Sequence, residues 1–221
     1  ADGLVFLGAH VSRARMLADM IDPSVIEEDL STARDPAFDL YGAMAPEPPF
    51  DPAFIASYRA AQLARIRRIT AFARRQIERG LPDPFIVRRT MADPHFLDSA
   101  IDPNERPPGR CWLGVPRVVN EVASGIARVT TPEAWLSQWS IADSNVDAVR
   151  SASAILTPLL VIENGADDAV PPRHLRDTFE TAASRDKTYL RVPGASHSYQ
   201  GQPDALAMVA DAVSAWASER H

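Results

Sequence analysis

Short apolar runs and helical patterns alternate through the last third of this 221-residue sequence. Residues 158–162 and 188–192 read as strands, and apolar residues recur at helical spacing in 171–179 and 204–216. The order strand, helix, strand, helix implies parallel strands joined by right-handed crossovers. In such sheets the reacting groups lie at the carboxyl ends of the strands. The sequence therefore predicts an α/β fold whose chemistry lies at that edge of the sheet.

Side chains with catalytic chemistry follow both strands. The first strand leads into an acidic turn that contains Asp167 and Asp168, and the second leads into a loop that contains His197. A carboxylate beside an imidazole fixes its tautomer and stabilises the imidazolium that forms when the histidine takes a proton from a nucleophile. We expect the acid and the histidine to form a catalytic pair. The alternative is a turn aspartate that caps the following helix, together with a surface histidine.

Residues 158–171, PLLVIENGADDAVP, followed by the GASHS segment around His197, resemble the C-terminal part of the α/β-hydrolase superfamily. The resemblance covers residues 146–221. It implies the C-terminal part of a doubly wound, mostly parallel sheet with an inserted helical lid. It also implies Asp167 and His197 as members of a triad in the chain order serine, aspartate, histidine. Asp167 fits the family's Asp-x-x-Val-Pro spacing and is favoured, whereas Asp168 fits a Gly-x-x-Asp spacing.

The same resemblance divides the chain into three parts. Residues 1–24 belong to the hydrolase core and enter the lid, 25–145 form the helical lid, and 146–221 return to the core with the acid and histidine strands. The first strand is the apolar run at 3–9. Its continuous apolar character predicts a strand that is buried on both faces.

The superfamily's nucleophile elbow, G-x-S-x-G, is absent from the sequence. Ser124 precedes a glycine, but no strand leads to it, and Cys111 lies in a proline-rich insertion. The family places the elbow before the strand that opens this sequence. We therefore expect the first strands and the nucleophile to come from a second polypeptide, through processing or a split gene, or from an N-terminal segment outside this sequence.

The strongest helix prediction covers residues 53–79, with Asp51 as N-cap, Pro52 in the first turn and Gly80 after the last turn. Between residues 51 and 89, nine arginines stand against three acidic residues. These arginines form either a solvated face or a surface that attracts anionic substrates. Three tryptophans are expected in the core of the lid or stacked on a substrate: Trp112, Trp135 and Trp139.

Two later helices have distinct starting signals. Ser144 opens a capping-box-like pattern in which Asp147 is the acid of the first turn. The last helix begins near Asp204, and four apolar residues at helical spacing predict its buried stripe: Leu206, Val209, Val213 and Trp216.

Composition and motifs exclude several classes of function. A net charge of −6 disfavours nucleic-acid binding. The apolar runs are too short to span a membrane, so we expect no membrane partner and a cytoplasmic protein. The single cysteine excludes an internal disulfide and a multi-cysteine metal site. No G-x-G-x-x-G motif or phosphate loop is present, and His174 with Asp177 is a weak metal pair, so we expect neither cofactor nor metal.

Two functions of different classes follow. The first is a hydrolase of the Ser-His-Asp type that acts on an ester, thioester, amide or related carbonyl of a small apolar or carboxylate-bearing substrate. The second is a non-catalytic, hydrolase-like module for binding or assembly. His10, which follows the first strand, either borders the pocket or is a structural histidine.

Overall fold

A computed structural model describes residues 2–28, 32–123 and 125–220. In chain order the strands and helices are β1 (Leu4–Leu7), α1 (Arg13–Met20), α2 (Pro52–Glu78), β2 (Phe85–Ile86), α3 (Pro116–Glu121), β3 (Val129–Thr130), α4 (Pro132–Gln138), α5 (Ala148–Ala152), β4 (Leu159–Asn164), α6 (Pro172–Thr181), β5 (Lys187–Val192) and α7 (Pro203–Ser218). A single 3₁₀ turn at Pro94–Phe96 completes the regular structure of these residues. None of the described helices is long and apolar enough to cross a membrane.

The main sheet consists of three parallel strands in the order β1–β4–β5. Leu4 of β1 lies opposite Leu159 of β4, and Leu159 lies opposite Lys187 of β5. Every residue of the central strand β4 is buried, and α6 and α7 pack on β4 and β5. The protein therefore has the predicted α/β fold with a parallel sheet, and the carboxyl ends of its strands meet at one edge.

The first strand departs from its prediction of burial on both faces. Residues along β1 alternate between half-buried and exposed, and Val5 and Leu7 are 39% and 42% exposed. Within the described part of the chain, β1 pairs only with β4, so it is an edge strand. A parallel strand is buried on both faces only where neighbouring elements cover both, and an apolar run alone does not reveal its neighbours.

The chain divides into two compact units. Unit 1 comprises residues 2–11, 101–108 and 147–220, and unit 2 comprises the described residues of 12–100 and 109–146. The sequence-based division placed its boundaries after residues 24 and 145. In the structure α1 belongs to unit 2, because its apolar side packs in a cluster with residues of α2 and α4: Leu17, Ile21, Ile66, Ile69 and Trp135.

Helix α2 begins and ends where the sequence predicts. The Asp51 carboxylate accepts hydrogen bonds from Ala53 N and Phe54 N, and Pro52 occupies the first turn. Gly80 follows the helix with φ +67°, a conformation that glycine adopts without a steric penalty. Trp135 is fully buried against this helix, in agreement with a place in the core.

Two smaller predictions are wrong. Helix α5 begins at Ala148 with Asp147 as its N-cap, so Asp147 accepts from Arg150 N instead of serving as the first-turn acid. In α7, Val209 is buried but Leu206 is 53% exposed. Ala205, not Leu206, packs against the apolar cluster in the first turn of α7, so the buried stripe begins one residue earlier than the spacing predicts.

Candidate catalytic site at the carboxyl ends of β4 and β5

The turn after β4 fixes the Asp167 carboxylate. Its Oδ1 accepts hydrogen bonds from Ala169 N and Val170 N, both at 2.8 Å. The backbone oxygen of Asp167 accepts from Asn104 Nδ2 at 2.8 Å. Asp167 is 2% exposed, and these bonds hold one carboxylate oxygen in the turn while the other faces the loop after β5.

The loop after β5 is closed by Gln202. Gln202 Oε1 accepts from both the backbone nitrogen and the hydroxyl of Ser196, at 2.8 and 2.9 Å, and its Nε2 donates to Gly194 O at 2.7 Å. Gly194 has φ +66°, which lets the chain turn directly after the strand. His197 lies within this closed loop, so its backbone is held from both sides.

The two loops bring His197 and Asp167 together, with 3.1 Å between His197 Nδ1 and Asp167 Oδ2. The Asp167 side chain is 3% exposed and that of His197 is 31% exposed. The hydrogen bond to Asp167 raises the pKa of His197, which burial opposes, and the charge of Asp168 adds to the increase. With the proton of the neutral ring on Nδ1, the other ring nitrogen, Nε2, is the one that can accept a proton.

The end of β1 passes close beside this pair. Gly8 has φ +50°, and a β-carbon there would lie 3.3 Å from Asp167 Oδ2 and Asn164 Nδ2, and 3.7 Å from His197 Nδ1. A larger residue would be strained and would crowd the carboxylate. Gly8 lies within the apolar run at 3–9, but its close approach to the pair depends on the parallel pairing of β1 with β4.

His10 lies two residues further on, in the neighbourhood of the pair. Its ring packs edge-on against His174, with 5.6 Å between ring centroids and 3.4 Å between the two Nδ1 atoms. Burial lowers the pKa of His10 to about 4, the negative charge of Asp167 opposes this, and His197 lowers it further. His10 is therefore neutral at pH 7, and it senses the charge of the candidate site.

Two polar residues beside the pair, Asn164 and Tyr199, were not predicted from the sequence. Tyr199 donates a hydrogen bond to Asn164 Oδ1, and Asn164 is 1% exposed. Asn164 Nδ2 is buried and has no hydrogen-bond partner among the described residues. Asn164 is the last residue of β4, and Tyr199 follows the histidine by two positions, so nearness to the strand ends was the signal that could have found them.

A segment from the middle of the chain joins the two loops. Glu105 N donates to Gly165 O at 2.8 Å, and the Glu105 carboxylate accepts from Gly194 N and from Arg191 Nη2. These bonds lower the pKa of Glu105, with the Gly194 amide as the largest cause. We call residues 101–108 the strap. Glu105 lies about sixty residues before Asp167 in a proline-rich stretch, and nothing in its sequence marks it.

The remaining sequence candidates have other surroundings. Cys111 is 3% exposed and belongs to an apolar cluster of unit 2 that contains Met16, Met20, Met91 and Phe96. Trp112 and Trp139 are partly buried against the same cluster. Ser124 lies outside the described residues. In the part of the chain that the structure describes, no group of three or more His, Cys, Asp or Glu residues could hold a metal ion.

Comparison with known proteins yields partial structural likenesses. No family model and no curated protein matches the sequence. A monoacylglycerol lipase from Paleococcus ferrophilus is 21% identical over 66% of this chain and 51% of its own, with a TM-score of 0.35. A soluble variant of monoglyceride lipase from Saccharomyces cerevisiae is 11% identical over 70% and 50%, with a TM-score of 0.37. BpoC of Mycobacterium tuberculosis, a candidate non-heme bromoperoxidase, is 22% identical over 42% and 32%, with a TM-score of 0.31.

The chain spans between about a third and a half of the length of these proteins. Likenesses of this size do not assign the chain to a family, and the activities in those names belong to those proteins.

Proposed function

We propose that this chain supplies the acid and the base of a hydrolase of the Ser-His-Asp type. The observation that carries the proposal is the 3.1 Å contact between His197 Nδ1 and Asp167 Oδ2 at the ends of adjacent parallel strands. In a Ser-His-Asp triad, a buried carboxylate orients the imidazole that acts as the general base, and this pair has the same arrangement. The alternative of a helix-capping aspartate beside an unrelated histidine does not account for this contact.

The proposed reaction begins with His197 neutral and its Nδ1 proton shared with Asp167. His197 Nε2 takes the proton of a nucleophilic hydroxyl as the hydroxyl oxygen attacks the carbonyl carbon of an ester, thioester or amide. Asp167 stabilises the imidazolium. The imidazolium then protonates the leaving group, and an acyl-enzyme remains. Water repeats the sequence, with His197 as base and then as acid, which releases the carboxylic acid and restores the hydroxyl.

The nucleophile in this proposal comes from a preceding segment or a partner polypeptide. Two observations support this: G-x-S-x-G is absent from the 221 residues, and one edge of β1 pairs with no strand among the described residues. Val5 and Leu7 of that edge strand are exposed apolar side chains, and an unpaired strand edge is a template for further strands. Strands added beside β1 would bring a nucleophile to the same edge of the sheet as His197.

In this proposal unit 2 is the lid. The substrate is a small apolar or carboxylate-bearing carbonyl compound. The support is the composition of unit 2, whose α2 segment carries arginines beside apolar side chains. Arginine binds carboxylates through paired, charge-assisted hydrogen bonds.

The test uses the natively purified protein together with any polypeptide that co-purifies with it. We expect a fluorophosphonate probe to label a serine in the assembly and a chromogenic ester to be hydrolysed. His197→Ala should abolish both, while circular dichroism and thermal unfolding remain close to wild type. Full hydrolysis by the His197→Ala protein would contradict the proposal.

The second candidate function is a non-catalytic binding or assembly module. It is favoured by one observation, the lack of a nucleophile elbow in the sequence. Under this function the wild-type assembly reacts with no serine probe and hydrolyses no ester. The same experiment therefore separates the two functions.

A further inference from the structure

A cavity of about 490 Å³ lies within unit 2, along α2 and β2. Its apolar wall is formed by Ile69 and Phe72 of α2 and by Phe85 and Ile86 of β2. The rings of Phe72 and Phe85 pack edge-to-face with 5.1 Å between their centroids, which gives the wall a defined shape. The volume falls within the roughly 300–1,000 Å³ that small-molecule sites occupy.

The charged residues that line this cavity are mostly basic. They are three arginines, Arg68, Arg75 and Arg88, and one carboxylate, Glu28. Both oxygens of Glu28 are already bound by Arg65, whose Nε and Nη2 donate at 2.8 and 2.6 Å. Arg65 therefore neutralises the one carboxylate, and the cavity keeps the positive charge of the three arginines.

Arg88 is the arginine with unused hydrogen-bonding capacity. Its Nε is buried without a hydrogen-bond partner among the described residues. In the same part of the chain no carboxylate lies within ion-pair distance of Arg88 or Arg75. Arg68 is anchored differently, because its Nη2 donates to Val25 O at 2.7 Å. The positive charge of Arg88 therefore has no carboxylate partner among the described residues, and a bound anion would supply one.

We propose that this cavity is a binding site for an organic anion that combines a carboxylate with an apolar chain or ring. The carboxylate accepts hydrogen bonds from Arg88, and Arg75 adds a second positive charge. The apolar part lies on Phe72 and Phe85. Inorganic anions would leave this wall uncovered, and neutral apolar molecules would leave the Arg88 charge without a counter-ion.

An anion in this cavity would correspond to the second expectation for the arginine-rich segment, a surface that attracts anionic substrates. Part of that segment lines a site for an anion instead of forming only a solvated face. The cavity is lined by residues of unit 2 alone, so binding there does not depend on the Asp167–His197 pair or on a nucleophile. Binding can therefore be measured whether or not the protein hydrolyses anything.

The experiment is calorimetric titration of the full chain with octanoate. Two matched probes separate the two parts of the ligand: octanol keeps the chain without the charge, and acetate keeps the charge without the chain. We expect octanoate to bind at least tenfold more tightly than either. Failure of octanoate to bind, or equal affinity for octanol or acetate, would overturn the proposal.

Variants on the same segment locate the site. Arg88→Gln should weaken octanoate binding at least tenfold, and Arg88→Lys should restore part of it because the charge returns without the paired donors. Arg79→Gln is the matched control, because Arg79 is an exposed arginine that follows α2 and does not line the cavity. Equal affinities for the Arg88→Gln and Arg79→Gln proteins would refute the location.

A last variant keeps the two proposals distinct. His197→Ala should bind octanoate as wild type does, even if it loses all hydrolysis. Competition between octanoate and an ester substrate in the wild-type assembly would identify the anion as part of the substrate. Binding without competition would identify a separate ligand, and both results support the site.

Discussion

Unit 1 and unit 2 hold their buried charges in different ways. In unit 1 the buried Asp167 stands just after the end of a regular strand, and the backbone amides of Ala169 and Val170 fix its carboxylate in a tight turn. In unit 2 the fully buried Arg65 donates to the backbone oxygens of Asp22, Arg88 and Arg89, which belong to two separate stretches of chain. Charges at strand ends are visible in a sequence, whereas charges that join irregular segments are not.

The largest expected effect concerns the ordered pair of unit 1. Asp167→Asn should lower kcat for ester hydrolysis about 10⁴-fold, because the imidazole loses the group that fixes its tautomer and stabilises its charge. The wild-type rate should rise with pH through the raised pKa of His197, since the base must be neutral. In the Asp167→Asn protein this midpoint should move to lower pH. The measurement is a pH–rate profile from pH 5 to 9.

The control for this variant is Asp211→Asn, which makes the same chemical change on the exposed side of α7. It should leave both the rate and the midpoint unchanged. An unchanged midpoint in the Asp167→Asn protein would show that the carboxylate does not set the protonation of His197.

The next effect concerns the arginine network of unit 2. Arg65→Met should lower the free energy of unfolding by about 3–5 kcal/mol, because Glu28 and three backbone oxygens lose a buried partner. Urea unfolding followed by tryptophan fluorescence measures this change. Arg67→Met, two residues along the same helix and exposed, should change stability by less than about 0.5 kcal/mol. Similar losses for both variants would show that burial of Arg65 carries no special energy.

A smaller effect is the pH dependence that His10 gives to unit 1. In the folded protein its pKa is lowered to about 4. Between about pH 4 and 6.5 this histidine is therefore protonated in the unfolded chain but neutral in the folded protein. The stability lost as the pH falls from about 6.5 to 4 is therefore up to about 3 kcal/mol. His197 acts in the opposite sense, because its raised pKa gives stability at low pH that is lost as the pH rises through that pKa.

Unfolding midpoints in urea at pH 7 and pH 5 measure this balance. His10→Asn should lose less stability between these pH values than wild type. His197→Gln should lose more, because it lacks the stabilising protonation beside Asp167. The groups that face His10 are His174, Asp167 and His197. Identical pH dependence in the wild-type and His10→Asn proteins would contradict the burial of a neutral imidazole.

The smallest expected effect concerns the strap. Glu105→Ala should lower the hydrolysis rate about tenfold through displacement of the two loops, because small errors in position reduce catalysis strongly. Glu105→Gln keeps an oxygen that can accept from Gly194 N, so it should recover most of the rate. Kinetics of both variants, with the pH midpoint of His197 as a second readout, test this positioning role. Equal losses in both variants would point to the Arg191 ion pair instead of the amide contact.

The sequence contained enough to locate the pair but not its surroundings. Two apolar runs with an intervening helix dictate neighbouring parallel strands, so residues just after them must meet, as Asp167 and His197 do. The burial of β1 could not be predicted from its own sequence, because it depends on whether another element covers the side of the strand that faces away from β4. Glu105 could not be found either, since its contacts come from the path of an irregular segment.

Helix limits show the same contrast on a smaller scale. Asp51 and Gly80 mark α2 because capping is local chemistry between residues two or three positions apart. Asp147 caps α5 although Ser144 offers an equally good local signal, and Val146 between them is 64% exposed. Local rules offer both starts, and the fold selects one.

The strap also determines how the chain responds to a protease. Because residues 101–108 belong to unit 1 while both flanking stretches belong to unit 2, the polypeptide crosses between the units four times. A single nick at any crossing leaves unit 1 built from both fragments, held by β1–β4 pairing or by the hydrogen bonds of the strap. Limited proteolysis should therefore give two bands on a denaturing gel while the native particle keeps its size.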